Sequence, residues 1–343
     1  MLSLFLIVHY LVVPELSGAR ESASVLARLS PWLAVVAVFA EAGSLVAYAL
    51  LARTLLAGSD RPSLSTILRI QLSTLAASHV VPGGSAAGAA LGYRLLRKTG
   101  VSASNAGFLL GAQSLGSAAV LSALLWVAVA VSVPLRGAND AYVGVALAGT
   151  VVMACVVALI IGVSRETRAA VWYLRAIGRV LHLRDSSAVA RSLRDLIARF
   201  RALATDRELL VRAAGWAALQ WLADAMSLWL FLAAIGIRMD PDALLIAFGL
   251  ANVSAAIPLT PGGLAVYEAV LTSSLVGFGV PRAEAIIGVL AYRLFEFWIP
   301  IPVGAITFLT IEAAEPETGG RVDALEAAFE MAASKHKPDQ TAP

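Results

Sequence analysis

Five ionisable side chains stand in stretches that are otherwise apolar: Glu41, Asp224, Glu268, Arg293 and Glu296. A charge held in hydrocarbon costs at least ~2.5–3.5 kcal/mol on insertion scales, so each needs a partner or a task. Arg293 and Glu296 are three apart, one helical step, and can pair with each other. Glu268 offers Arg293 a second carboxylate across the bundle. Two chemistries fit this set. A guanidinium with planar paired donors can take a lipid phosphate, with Glu268 or Glu296 positioning it or meeting a cationic head group. Alternatively, the charges form a buried ion pair that fixes helix register. Asp224 and Glu41 are open to a proton-coupling role or to simple hydrogen bonding in a polar core. His79 could touch substrate, titrate, or sit hydrogen-bonded in the interior.

Two further patterns lie next to these residues. Thr260-Pro261-Gly262-Gly263 reads as a helix start, with a hydroxyl able to cap free N–H groups and a proline where no donor is wasted. Pro82-Gly83-Gly84-Ser85 repeats the theme just after His79. Helix N-termini present unpaired N–H groups and a partial positive charge, and glycine lets an anion come close to the backbone. Head-group binding is therefore expected at Pro82, Gly83, Gly84, Ser85, Thr260, Pro261, Gly262 and Gly263, together with Glu268, Arg293 and Glu296. The competing reading of each Pro-Gly-Gly is a kink that lets helices pack closely.

The elements that must position these residues are membrane helices. The chain of 343 residues is 59% hydrophobic and 14% charged, with a mean hydropathy of +0.80; a soluble domain of this length does not keep so few charges. Its single cysteine, Cys155, excludes a disulfide framework and a CxxC metal motif. Apolar segments are expected at 1–13, 31–56, 103–133, 142–163, 213–237 and 285–311. The pieces on either side of each break are too short to cross a hydrocarbon core of ~30 Å alone. Irregular backbone at that depth is tolerated where it is buried in protein or lines a cavity. The expectation is thus two re-entrant broken-helix hairpins, about 64–97 and 243–277. Paired broken segments in corresponding halves point to a transporter-type site.

Charge placement orients the chain. Residues 165–212 carry 11 arginines, which assigns that loop to the cytoplasm. Threading outward from it puts Arg53, Arg61, Arg94, Arg97 and Lys98 inside, provided that each hairpin returns to the side it entered. The two hairpins then enter from opposite sides, as inverted-topology repeats do. The expected fold is an all-α polytopic membrane protein divided into a first membrane repeat (1–163), a cytoplasmic basic amphipathic loop (164–212), a second membrane repeat (213–311) and a flexible cytoplasmic tail (312–343). Both termini are expected in the cytoplasm. Leu193, Leu196, Ile197, Phe200 and Leu203 recur at helical spacing in the loop, as in a helix lying on an anionic leaflet or a simple positive-inside connection.

With both Pro-Gly-Gly breaks, the stretch TPGGLAVYE and the later AYRLFEFWIPIPVG, the chain resembles the flippase-like family that includes the membrane domain of bacterial lysylphosphatidylglycerol synthases and many stand-alone proteins. Pro258, Pro261, Gly262, Gly263, Glu268, Arg293 and Trp298 stand where the family pattern has them. The first break departs from it: the acidic residue and arginine common after it are replaced by Ser85-Ala86-Ala87-Gly88-Ala89-Ala90. The resemblance implies inverted repeats with re-entrant helices and movement of phospholipid or lipid-linked head groups between leaflets of a bacterial inner membrane. The partners implied are membrane lipids, namely an anionic phospholipid or lipid-linked intermediate; a homodimer is left open. No nucleotide-binding loop, metal cluster or nucleophile–base pair is visible. Catalysis, a cofactor, a bound metal and nucleic-acid binding are not expected, and neither is aminoacyl transfer, since about 30 polar residues follow Ile311, too few for an enzyme domain. Two alternatives stay open: a secondary transporter of a small soluble anion, and a non-transporting scaffold for lipid-modifying enzymes.

Overall fold

A computed structural model describes residues 30–56, 61–81, 84–136, 150, 154, 198–203, 205–255 and 263–313. The first apolar segment, the span expected at 142–163, most of the basic loop, the tail, and the break residues Pro82, Gly83, Thr260, Pro261 and Gly262 lie outside the described residues. Those described are helical, without a strand among them. Among the described residues four helical stretches are long and apolar enough to cross a membrane, the last of them running from 282 to 313. The chain is an all-α polytopic membrane protein.

Helix α1 (Pro31–Leu55) begins with proline at its first position, where no backbone donor is lost. Helices α2 (Leu64–Val80) and α3 (Gly84–Lys98) follow. The Ser63 hydroxyl caps α2 by accepting from the Thr66 N–H at 3.1 Å. Helix α4 spans Ala103–Arg136 and α5 spans Arg207–Ala234. Sequence placed this last crossing at 213–237, but it starts six residues earlier. Asp206 caps the earlier start through the Leu209 N–H at 3.0 Å, and the exposed Glu208–Arg212 pair lies along the polar first turns. It stops where Gly236 takes φ +90°. Two short apolar helices come next, α6 (Pro241–Ala255) and α7 (Val266–Gly277). Helix α8 (Arg282–Arg293) runs through a π-helical turn, Leu294–Trp298, into α9 (Pro300–Ala313).

Hydrogen bonds between helices set the directions. Ser30 N–H donates to the Ala234 carbonyl at 2.7 Å and the Ser227 hydroxyl to the Ala37 carbonyl at 3.0 Å, so α1 and α5 run antiparallel. The Ser73 and Thr307 hydroxyls meet at 3.1 Å, and His79 reaches Phe297, so α2 and α9 are antiparallel as well. Glu312, near the end of α9, binds Arg94 and Lys98, near the end of α3. Helix α3 therefore ends where α2 begins. At its crossing with α2, a Cβ on Gly88 would lie 2.8 Å from the Thr74 carbonyl oxygen, so only glycine fits that approach.

Two apolar cores result. One gathers α5, α6, α7 and α8 around Leu228, Phe248, Leu271 and Tyr292. The other gathers α2, α3, α4 and the ends of α1 and α5 around Ile67, Leu95 and Leu109. Helices α1 and α5 pass through both, which places Glu41 and Asp224 at the junction. Phe200 and Leu203, two of the apolar positions spaced helically in the basic loop, lie against the second core. Phe200 meets Phe108 edge-on with ring centroids 5.2 Å apart, an aromatic pair worth about 0.5–1.5 kcal/mol beyond its buried area.

Candidate functional site

The site is organised by the end of α8. Pro300 and Pro302 carry no backbone N–H, so the helix entering them cannot keep every i→i−4 bond. The helix widens there: Ile299 N–H donates to the Leu294 carbonyl at 2.9 Å, five residues back. Single π turns inside helices are frequent at functional sites. This one redirects Glu296 and Phe297 around Arg293.

Arg293 is buried, 3% exposed. Its Nε donates to Glu268 Oε1 at 2.6 Å and its Nη1 to Glu296 Oε2 at 2.5 Å. The guanidinium lies over the Tyr267 ring at 4.6 Å and the Phe297 ring at 4.3 Å, two cation–π shelves. Its Nη2 and Glu268 Oε2 are buried without a hydrogen-bond partner among the described residues. A buried donor and acceptor left unmade cost about 1–3 kcal/mol each, so both are ready for a polar ligand. Sequence reading offered Arg293 two carboxylates as alternatives; the structure gives it both.

Phe297 joins this centre to the first break. Its ring stacks on His79 at 3.9 Å with an interplanar angle of 15°, and its carbonyl lies 3.2 Å from His79 Nδ1. A carbonyl only accepts, so Nδ1 carries the proton in this contact. On the opposite side the network continues to α5 and α1. The Tyr292 hydroxyl donates to Asp224 Oδ1 at 2.6 Å, and Asp224 and Ser227 lie beside Glu41. Glu41 Oε2 is buried without a hydrogen-bond partner among the described residues. Six of the expected residues, Glu41, His79, Asp224, Glu268, Arg293 and Glu296, thus converge from α1, α2, α5, α7 and the α8–π segment. Gly84 and Ser85 open α3 and donate no hydrogen bond to this cluster among the described residues.

Sequence reading missed the aromatic scaffold. Tyr267 and Tyr292 stack with centroids 6.5 Å apart, and Asn252 Nδ2 reaches the Tyr267 hydroxyl at 3.4 Å. A signal was available: each tyrosine directly precedes a charged residue, as Tyr267-Glu268 and Tyr292-Arg293. Backbone geometry helps to aim the first pair. Ala265, just before α7, takes φ 69° and ψ −39°, close to the strained classic γ-turn, a sparsely populated region that costs a non-glycine residue on the order of 1–3 kcal/mol. Ala265→Gly should raise the unfolding midpoint in detergent by an amount worth about 0.5–1 kcal/mol, after the added entropy of the unfolded chain is subtracted. An unchanged or lowered midpoint would mean that the strain is absent in solution.

The arrangement is a polar centre holding four carboxylates and one guanidinium, in which Glu41, Asp224 and Arg293 are buried and Glu268 and Glu296 are partly exposed. It can exchange intramolecular ion pairs for those of a ligand that brings both signs of charge. Among the described residues no group of three His, Cys, Asp or Glu is arranged to hold a metal ion. Comparison with known proteins agrees with the fold. A UPF0104 membrane protein of Methanothermobacter thermautotrophicus is 34% identical over 88 residues, 26% of each chain. That match spans about a quarter of the relative's length. The family model described as "Lysylphosphatidylglycerol synthase TM region" matches residues 1–304, and with that extent of agreement the chain belongs to this membrane family.

Proposed function

We propose that this protein translocates a phosphate-bearing lipid head group between the leaflets of an inner membrane, holding it at Arg293. The observation that carries this reading is the buried guanidinium with one unused donor, seated where the π turn, the second hairpin and the His79 end of the first hairpin meet. A phosphate offers Arg293 the bidentate geometry it prefers. Taking it up frees Glu268 or Glu296, and a freed carboxylate in an apolar bundle needs a cation. A head group with an ammonium beside its phosphate supplies one; a bare soluble anion does not, which favours the lipid over the anion-transport alternative. In this reading both hairpins are re-entrant, related as inverted repeats, and the cationic end bearing Arg94, Lys98 and Arg212 faces the cytoplasm. The N–H groups at the two breaks supply further donors to the phosphate.

Leaflet exchange of labelled phospholipids in proteoliposomes tests the proposal. Wild-type protein should exchange a zwitterionic lipid well above protein-free liposomes. Glu268→Gln, which keeps the side-chain shape but not the charge, should slow exchange about tenfold, the equivalent of ~1.4 kcal/mol. Equal exchange by wild type, variant and empty liposomes across a panel of head groups would refute translocation.

A further inference from the structure

Apart from the Arg293 centre, Glu41 and Asp224 form a second buried acidic pair, contributed by α1 and α5. The geometry points to a proton-binding site at this pair, in which one proton is shared between the two carboxyl groups and is exchanged as a coupling ion. Among the described residues Glu41, 7% exposed, keeps its Oε2 without a hydrogen-bond partner, while Asp224, also 7% exposed, lies within hydrogen-bonding reach of the Glu41 carboxyl group and accepts from Tyr292. Two adjacent carboxylates away from water cannot both remain ionised without a proton or cation between them. A hard metal cation takes about six oxygen ligands. Among the described residues the oxygens shown at the pair are the four of its carboxyl groups and the Tyr292 and Ser227 hydroxyls, and the two hydroxyls are held by Asp224 and by the Ala37 carbonyl. A proton needs only the two carboxyl groups.

The charged and titratable groups around the pair are few. Helix α8 brings Tyr292 and Arg293, the π turn Glu296, and α7 Tyr267 and Glu268. Helix α2 brings His79. Glu296 acts on both centres: it binds Arg293 directly, and its charge bears on both Glu41 and Asp224. A ligand whose phosphate draws Arg293 off both carboxylates while its ammonium pairs with Glu268 leaves the charge of Glu296 uncompensated beside the pair. Proton uptake and ligand binding at Arg293 therefore favour each other, and by linkage the effect is reciprocal. This coupling rests on the translocation reading; the proton site itself does not.

The test is infrared difference spectroscopy of the full-length protein in phosphatidylcholine nanodiscs, titrated over pH without any transport. Wild type should show a protonated-carboxyl band that titrates, unaffected by exchanging sodium for choline. Glu41→Gln combined with Asp224→Asn should abolish that band, and Glu268→Gln should retain it. Tyr292→Phe, which removes one hydroxyl and keeps the ring, should move the midpoint without abolishing the band and serves if the double variant does not fold. A missing band, a band that survives the double substitution, a midpoint untouched by Tyr292→Phe, or displacement by sodium would each overturn the proposal. None of these readouts depends on lipid movement, so failed exchange and a failed proton site are separate results.

Discussion

Arg293→Ala should destabilise the protein by about 3 kcal/mol, read as a lowered midpoint of thermal or denaturant unfolding in detergent. Breaking a buried pair by removing one member costs roughly 3–5 kcal/mol, because the other charge is left without compensation. Here two carboxylates are stranded at once, Glu268 and Glu296, but their side chains are 22% and 23% exposed, so neither is fully desolvated and the loss stays near the lower bound. The cation–π shelves on Tyr267 and Phe297 disappear as well. Arg293→Lys should recover about half of the loss: it keeps the charge, but a single ammonium on a flexible stem cannot satisfy Glu268, Glu296 and two rings together. The decisive variant removes all three charges at once, Arg293→Met with Glu268→Gln and Glu296→Gln. It should be more stable than Arg293→Ala, since replacing a buried ion set costs far less than breaking it. If Arg293→Ala alone unfolds like wild type, the triad does not hold α7 to α8.

That triad shows how far sequence reasoning reached. Charges in apolar segments are expensive, so Glu41, Asp224, Glu268, Arg293 and Glu296 could be singled out on energetic grounds, and the structure brings them together. Helix boundaries were legible where local chemistry marks them. Proline at the start of α1 and the glycines at 236 and 279, both at positive φ, coincide with observed ends. The π turn was not legible, although Pro300 and Pro302 stood in view. A proline removes a donor without specifying whether the helix kinks, breaks or widens; here the tertiary partners Arg293 and His79 select the widened form. The aromatic shelves were missed for a related reason. In an apolar helix a tyrosine looks like core packing until a charge is known to lie against its face. The side on which Phe200 packs was likewise set by Phe108, a residue 92 positions earlier in the chain.

Gly304→Ala should be the most damaging small substitution outside the polar centre, at about 2–3 kcal/mol, at the upper end of overpacking costs. A Cβ at this position would stand 2.2 Å from the Leu72 carbonyl oxygen and 2.6 Å from Ala76 Cβ. The obstacle is the backbone of α2, so relief requires the two helices to separate. Membrane helices gain little from apolar burial against one another and rely on such close approach, so separation also sacrifices the dispersion contacts along the interface. Gly288 is the control. Its added Cβ would meet Leu232 Cδ2 at 2.4 Å, the far end of a side chain that can change rotamer, and Gly288→Ala should cost less than about 1 kcal/mol. Adding Ala76→Gly to Gly304→Ala removes one of the two clashes and leaves the carbonyl, so it should restore only part of the loss. The consequence reaches the site. The α2–α9 seam continues through the Ser73–Thr307 contact to His79 and Phe297. A wider seam withdraws His79 from the ring that supports Arg293, and Gly304→Ala should therefore slow lipid exchange in protein that remains folded, whereas Gly288→Ala should not. Equal exchange by the two variants would show that the seam supports the bundle without positioning Arg293.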